Sequence, residues 1–305
     1  SLTWSKVFAD KHSLEVSLFS EYFKAHRRSF GFRQLGFDPA TFSPGDGASF
    51  VNDNADNDNY VDTGRATVRN AGLFSYFGFV DYDYDSKYGF SATLRRDASY
   101  RFSASNRWGT FWSVAGRWNI SNEAFMEDSI FDSLKLRASY GSVGNQGVGG
   151  FYVGYETVGS GNGYNGQQAY FPAVADKNLK WETTTQLNVG LDFGLFDRLT
   201  GSVEGFYKKS QNLLSYAAIS DGSNFSNAGW QNIGQFTSKG LEFIIGSDIV
   251  STDDLNVNVS YNLNINETKI DELAFGQDIE VGGISGGTGS RIQVHREGFA
   301  PYSYF

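Results

Sequence analysis

Two glycine-rich stretches of the chain come close to known nucleotide-binding motifs. Gly161 to Gly166 fits the pattern G-x-G-x-x-G, which binds a dinucleotide only where a strand leads into a helix whose amino terminus faces the pyrophosphate. The residues that follow, Gln-Gln-Ala-Tyr-Phe-Pro at 167–172, do not predict such a helix. Residues 282–289 lack the Gly-Lys-Ser/Thr ending of a phosphate-binding loop. Both stretches are interpreted as ordinary loops, and the sequence predicts no nucleotide cofactor.

Side chains that serve in hydrolytic or metal sites are present, but not in the arrangement that such sites require. The histidines, His12, His26 and His295, are far apart, and none belongs to a His-Glu-x-x-His motif. The chain has no cysteine, which excludes thiolate catalysis and cysteine zinc sites. Asp81 and Asp83 share a strand face and could form an acid–base pair, although polar residues facing the lumen of a barrel are the simpler interpretation. The sequence predicts no enzyme and no cofactor.

The stretch from Asp53 to Asn59 is rich in oxygen ligands that suit Ca²⁺. It lacks the glycine and the closing glutamate of an EF-hand at their proper spacing. A solvated acidic loop is the alternative, and the sequence leaves open whether residues 46–62 bind Ca²⁺.

Five aromatic residues in long, amide-rich segments are the candidate contacts for a ligand. Aromatic faces stack on sugar rings or on peptide side chains, and the same rings could equally pack the loops against one another. The candidate substrate-binding residues are Tyr164, Tyr170, Phe171, Phe225 and Trp230.

The elements that position these residues are predicted to be strands. The 305 residues include 27 Phe, 17 Tyr and 36 Gly, which favours strands, and apolar and polar residues alternate with period two. In the clearest case, residues 255–266, one face is entirely apolar and the other carries only Asn and Ser. A net charge of −9, with no run of more than two Lys or Arg, predicts no nucleic-acid partner. About ten strands are predicted, over residues 2–8, 13–23, 72–84, 87–97, 109–120, 134–141, 184–195, 199–210, 239–250 and 255–266.

The connections between these strands alternate between short and long, which is typical of a transmembrane antiparallel β-barrel. A soluble β-sandwich or a repeat adhesin is the alternative fold, but it has no reason to keep this alternation. We expect the short turns near Asp10, Asp85, Asp197 and Asp253 at one rim. We expect the long loops at the other rim, over residues 25–70, 143–183, 211–238 and 267–290. The longer connection at 121–133 is an exception and is predicted to hold a helical turn at 123–127.

The alternation also predicts which side chains face lipid. A Lys or Arg at the bilayer midplane costs about 2–4 kcal/mol. None stands at the alternating apolar positions of 14–22, 88–94, 134–140 and 255–265. The set predicted to point outward is Leu14, Val16, Leu18, Leu136, Val257, Val259, Tyr261 and Leu263. The set predicted to point into the lumen is Arg95, Arg137, Asn258, Ser260 and Asn262. Aromatic residues near both ends of the strands, among them Trp118 and Tyr207, predict two interfacial girdles.

Several sequence blocks occur in an order found in one family. They include Ser91-Ala92-Thr93-Leu94-Arg95-Arg96-Asp97, Asn106-Arg107-Trp108-Gly109, Leu134 to Gly141 with Gly144-Asn145, Asn178-Leu179-Lys180-Trp181-Glu182, Phe206-Tyr207-Lys208 and Asn232-Ile233-Gly234. Together they resemble the SusC/RagA-like, TonB-dependent outer-membrane transporters. Ala98 stands where that family usually has glycine, and residues 296–302 resemble its Gly-x-Pro segment only loosely.

The resemblance implies a barrel of about 22 strands filled by a plug. Residues 1–305 would then be a single partial barrel domain, without the plug and the remaining strands. It also implies a multi-pass protein of the Gram-negative outer membrane that imports a nutrient actively. Its implied partners are a SusD-like surface lipoprotein and the TonB energy-coupling complex, the latter through N-terminal regions absent from this chain. Trp181, as part of a general family motif, is predicted to be structural.

The resemblance implies an oligosaccharide cargo, with peptide import or a structural or adhesive barrel as alternatives. Between Gly144 and Ala175 there is no Lys or Arg, whereas aromatic and amide residues collect in loops 143–183 and 211–238. Aromatic faces and amides bind uncharged sugars by stacking and by paired hydrogen bonds. The sequence therefore favours a neutral oligosaccharide over an anionic one.

Overall fold

Antiparallel strands dominate the part of the chain that the structure describes. This computed structural model describes residues 1–33, 63–150, 152–162, 165, 167–173, 175–218, 228–252, 254–273, 276–283 and 291–304. The strands are β1 (Leu2–Phe8), β2 (His12–Arg33), β3 (Thr63–Tyr84), β4 (Tyr88–Ser99), β5 (Trp108–Asn119), β6 (Phe131–Asn145), β7 (Thr157–Asn162), β8 (Gln168–Ala173), β9 (Glu182–Leu195), β10 (Leu199–Gln211), β11 (Leu214–Ala218), β12 (Ala228–Asn232), β13 (Gln235–Ser251), β14 (Asn256–Glu272), β15 (Ile279–Val281), β16 (Gln293–His295) and β17 (Ser303–Tyr304). Among these residues, no helix is long and apolar enough to cross a membrane.

Ten strands form one sheet in the order β1-β2-β3-β4-β5-β6-β9-β10-β13-β14. These are the ten strands that the alternating pattern predicts, and β1 begins and ends at the predicted residues. Neighbours in the sheet are neighbours in sequence, apart from two hairpins, β7–β8 and β11–β12, that lie outside it. The all-β, antiparallel architecture is therefore confirmed.

The chain divides into two compact units, Phe23–Gly72 and the remainder, Ser1–Tyr22 with Leu73–Phe305. In the smaller unit, polar side chains pair between β2 and β3. His26 Nδ1 lies 2.6 Å from Asn70 Oδ1, and the hydroxyls of Ser29 and Thr67 are 2.5 Å apart. Strands β4 to β17 all belong to the larger unit.

The short turns lie at one end of the sheet. Three of them place two successive residues at positive φ, the sign pattern of a type I′ turn, whose twist matches that of the flanking strands. The residues are Ala9 and Asp10, Asp85 and Ser86, and Phe196 and Asp197, all with φ between 50° and 58°. In the second turn the Lys87 amide donates to the Tyr84 carbonyl at 2.9 Å. Asp253 lies outside the described residues, but β13 ends and β14 begins at the same rim.

The longer connection at this rim contains two single-turn 3-10 helices, Ile120–Asn122 and Ala124–Met126. The second confirms the helical turn predicted at 123–127. At the opposite rim, two predicted loops contain the hairpins β7–β8 and β11–β12, and a third contains β15, which joins β16 and β17 in a small sheet. The rim assignment is confirmed for these three loops, whose internal structure was not predicted. The predicted loop 25–70 is wrong in its bounds, because β2 continues to Arg33 and β3 begins at Thr63.

The pairing register separates an apolar face from a polar face, since directly opposed residues in an antiparallel sheet point to the same side. One row across the sheet is Leu136, Leu191, Val203, Phe243 and Leu263. The adjacent row is Arg137, Gly190, Glu204, Glu242 and Asn264. The Phe19 ring stacks on Phe77 at 4.7 Å, and Phe77 lies beneath the Arg95 guanidinium on the polar face. Leu18, next to Phe19 in the strand, therefore lies on the apolar face. The two predicted side-chain sets thus lie on opposite faces.

Candidate functional site

The loops at the long-loop rim pack on a small apolar cluster. Phe102 and Leu179 are fully buried there, and Phe111 and Trp181 are nearly so. The Trp181 ring lies 5.5 Å from Phe102 and 5.4 Å from Phe111, and its Nε1 donates to the Arg107 carbonyl at 3.0 Å. Trp181 therefore has a structural role, as the family resemblance implied.

Hydrogen bonds tie neighbouring loops to this cluster. The Arg101 guanidinium donates to the carbonyls of Val148, at 2.7 Å, and Gly150. Asn232 Oδ1 accepts a hydrogen bond from the Lys180 backbone N–H at 2.7 Å. Asn232 Nδ2 donates to the backbone carbonyls of Lys180, at 2.8 Å, and Asn212, at 2.9 Å. These contacts hold three loops in one block over the wall.

The structure places two of the five candidate ligand residues by their side chains. Trp230 is half-buried, packs against the apolar cluster and makes an edge-to-face contact with Tyr216 at 5.7 Å. A Cβ atom at Gly149 would lie 3.1 Å from the Trp230 ring, so that ring sits directly on the Gly149 backbone. Tyr170 lies on β8 with 69% of its surface exposed. Their role in ligand binding stays a prediction.

The other three candidates are less defined. Phe171 lies on β8, whereas Tyr164 and Phe225 fall outside the described residues. The oxygen-rich stretch considered for Ca²⁺, residues 53–59, also falls outside them.

The sequence did not predict a cavity of about 500 Å³ at the same rim. It lies where β11, β13 and β14 meet the small sheet β15–β17. Its lining includes Tyr216, Phe236, Ile270, Glu272 and His295. One signal was available: Phe236 and Ile270 are apolar residues at positions where the alternation calls for polar ones.

The polar face carries arginines that bind carboxylates on their own strand or on strands one or two positions away in the sheet. Arg95 Nε lies 2.8 Å from Asp97 Oδ1, and Arg137 Nε lies 3.2 Å from Asp192 Oδ1. Arg117 Nη2 lies 2.6 Å from Asp83 Oδ2, with Asp81 3.9 Å from Nη1. The two aspartates therefore form ion pairs on the wall, in agreement with the simpler interpretation from sequence.

A row of aromatic rings follows the short-turn rim on the apolar face. Successive contacts join Phe8, His12, Tyr84, Tyr88 and Trp118, with ring centroids 4.8–6.4 Å apart. This row is one of the two predicted girdles.

A glutamate in the adjoining connection caps this row. Glu123 accepts hydrogen bonds from Tyr88 OH at 2.5 Å, Lys87 Nζ at 3.1 Å and Trp118 Nε1 at 3.1 Å. Because these bonds, that of Tyr88 first, favour the ionised carboxylate, the pKa of Glu123 is lowered. The carboxylate thereby fixes the two rings at the end of the girdle.

A ten-stranded antiparallel wall, apolar on one face and polar on the other, with its long loops gathered at one rim, is the wall of a membrane β-barrel. Residues 3–293 match the family described as TonB dependent receptor-like, beta-barrel, and the chain belongs to this family. It is thus part of an outer-membrane barrel, whose apolar face meets lipid and whose polar face meets the lumen. Membership of a receptor family agrees with the prediction that the chain is not an enzyme.

Individual relatives and structures agree with this family. The chain is 38% identical over 247 residues to the TonB-dependent receptor SusC of Bacteroides thetaiotaomicron, covering 76% of this chain and 25% of that relative. It is 37% identical to the TonB-dependent receptor P3 of Formosa agariphila, covering 76% and 24%. The RagAB peptide importer in its closed-closed state superposes with a TM-score of 0.82 at 25% identity, covering 99% of this chain and 32% of that one. The chain therefore spans about a quarter of the length of these curated relatives, and the SusC/RagA-like resemblance is confirmed.

Proposed function

We propose that this chain forms part of an importer that takes up an organic nutrient across the outer membrane. The observation that carries the proposal is the polar, ion-paired lumen face beneath loops that are packed into one block at a single rim. Such a wall can enclose a passage while its loops contact the cargo. Energy would come from the TonB complex, which family membership suggests as a partner, since the sequence offers no nucleotide-binding motif.

A surface lipoprotein of the SusD type is the proposed partner at the long-loop rim. Family membership supports this partner. The exposed aromatic side chains of that rim, such as Tyr170 and Tyr216, are available to a lid as well as to cargo.

The proposed cargo is a neutral oligosaccharide. Its support is the composition of the loops: residues 144–175 contain no Lys or Arg, and the rim displays tyrosine rings and amide side chains. An anionic ligand would require fixed positive charge there.

Import of peptides is the second candidate, and one specific observation favours it. The RagAB protein, which superposes on 99% of this chain, is named a peptide importer.

Binding to the purified intact transporter, measured by calorimetry, tests the cargo. We expect neutral oligosaccharides to bind and Trp230→Ala to weaken that binding roughly tenfold, since an aromatic contact contributes about 1 kcal/mol or more. Phe125→Ala is the matched control, because this exposed aromatic side chain lies at the opposite rim. Unchanged affinity of Trp230→Ala and Tyr164→Ala for every neutral glycan, together with tight binding of a peptide or an anionic ligand, would contradict the oligosaccharide proposal.

A further inference from the structure

The cavity of about 500 Å³ opens on the lumen side of the wall at the long-loop rim. Its floor contains Phe236 and Ile270, which are directly opposed between β13 and β14. Both lie on the polar face, in line with Ser238 and Thr268, whose hydroxyls are 3.0 Å apart. A ligand in the lumen therefore meets a pair of opposed apolar side chains at this place on the polar face.

The cavity walls are held by contacts on two sides. Two backbone hydrogen bonds join β14 to the segment after β16. The Ile270 N–H donates to the Phe299 carbonyl at 2.9 Å, and the Gly298 N–H donates to the Ile270 carbonyl at 2.8 Å. Arg296 Nε pairs with Asp278 Oδ2 at 2.9 Å, and this ion pair lowers the pKa of the Asp278 carboxyl. These contacts join the segment after β16 to β14 and to the start of β15 beside the cavity.

Several polar groups along the cavity have no partner within the described part of the chain. The Glu272 carboxylate and the Gln277 amide make no hydrogen bond or ion pair with another described residue, and neither does His295 Nε2. Carboxylate, amide and imidazole groups can together accept and donate hydrogen bonds to hydroxyls.

The charge of the lining narrows the class of ligand. None of the described residues that line the cavity is a Lys or Arg, and Asp278 is already paired with Arg296. Glu272 therefore leaves the cavity with negative charge, which repels an anionic ligand. A neutral molecule with apolar faces and several hydroxyls can pack against the apolar walls and form hydrogen bonds with the unpartnered groups.

We propose that this cavity is a subsite for a ring of a neutral oligosaccharide, an assignment that rests on the proposed import function. The C–H faces of the ring pack against Phe236, Ile270 and the Tyr216 side chain. Its hydroxyls donate to Glu272 and exchange hydrogen bonds with Gln277. The volume lies within the roughly 300–1,000 Å³ that is typical of small-ligand sites.

The test is calorimetric titration of the intact transporter with a panel of neutral glycans and peptides. Glu272→Leu should weaken glycan binding roughly tenfold and Glu272→Gln roughly threefold, since one hydrogen bond to a charged group is lost or weakened. Ala217→Trp, which fills the cavity from β11, should abolish binding. Glu280→Leu is the matched control, because this exposed carboxylate lies on β15 outside the cavity lining and should leave affinity unchanged.

The outcomes separate this subsite from the proposed function. If the wild type binds a neutral glycan and Glu272→Gln, Glu272→Leu and Ala217→Trp bind it equally well, the subsite is wrong and import of glycans stands. If the wild type binds no neutral glycan but binds a peptide that these variants lose, the cavity takes peptides, and both the sugar subsite and the proposed cargo are wrong. Glu272 is exposed, and Glu272→Gln keeps the size of the side chain, so we expect this variant to fold like the wild type.

Discussion

Arginine side chains lie across glycine residues on the lumen face of this wall. A Cβ atom at Gly89 would come within 2.4 Å of Arg117 Cζ, and one at Gly190 within 2.7 Å of Arg137 Cζ. The missing side chains leave room for each guanidinium to cross the strand of the glycine. Arg117 thereby reaches Asp83 on β3, and Arg137 reaches Glu204 on β10. These glycines serve close approach within strands, where glycine otherwise weakens a sheet.

At the short-turn rim, the ionised state of Glu123 is expected to hold Tyr88 and Trp118 in place. The folded pKa of Glu123 lies below its unfolded value, so its contribution is fully present above the unfolded pKa and is lost as pH falls through the folded pKa. We expect acidification below pH of about 4.3, the ordinary glutamate value, to change Trp118 fluorescence as the indole loses its carboxylate acceptor. The measurement is a pH titration of tryptophan emission from the intact protein in detergent.

The chain contains six Trp residues, so the Trp118 signal is taken as the difference between wild type and Glu123→Gln. Glu123→Gln should remove the acid transition. Glu127→Gln, in the same connection, is the matched control and should retain it. An identical titration for wild type and Glu123→Gln would show that the Glu123 carboxylate does not order the girdle.

Within one strand, adjacent residues point to opposite faces, so one side chain faces lipid and the next faces the lumen. Leu263 on β14 lies opposite Phe243 in the apolar row, and its neighbour Asn262 points to the other face. Leu263→Arg should lower the free energy of unfolding in a bilayer by about 2–4 kcal/mol. Asn262→Arg should change it by no more than about 0.5 kcal/mol. Urea unfolding of the intact protein in lipid vesicles measures both. Equal destabilisation by the two substitutions would refute the assigned faces.

The same alternation explains why the sheet could be predicted from sequence. Lipid on one side and a polar lumen on the other impose period two on a strand such as β14, and this period is visible without any tertiary information. The hairpins β7–β8 and β11–β12 were not predicted, because their strands are only five or six residues long and show no sustained alternation of apolar and polar residues. In β7, for example, Gly159 and Gly161 stand at alternate positions, so the sequence contains no row of apolar side chains there that would predict a strand.

The candidate site was less predictable, because its geometry depends on contacts between distant segments. Trp230 was selected as an aromatic residue in a long, amide-rich loop, and the sequence did not show that its ring packs on Gly149, about eighty positions away. The cavity likewise joins residues from Leu213 to Pro301. Phe236 and Ile270 break the polar alternation, but only the β13–β14 register shows that they are opposed.

At the scale of the whole molecule, the described sheet has two edges, β1 and β14. Backbone N–H and C=O groups along an edge have no partners in hydrocarbon, and each unsatisfied group costs several kcal/mol. Ten strands in this order therefore need further strands beside them to close in a membrane. The prediction that residues 1–305 form one part of a larger barrel domain follows from this requirement.

This requirement can be tested by comparing the intact transporter with residues 1–305 alone. We expect the intact protein to migrate differently on SDS gels before and after boiling, because a closed barrel resists detergent until heated. Residues 1–305 alone should show a single mobility, and the amides of β1 and β14 should exchange rapidly with solvent deuterium. The central strands β6 and β9, paired on both sides, serve as the internal control for exchange in the intact protein. Heat-dependent mobility of residues 1–305, with slow exchange along β1 and β14, would mean that these strands close on themselves and that no larger barrel is needed.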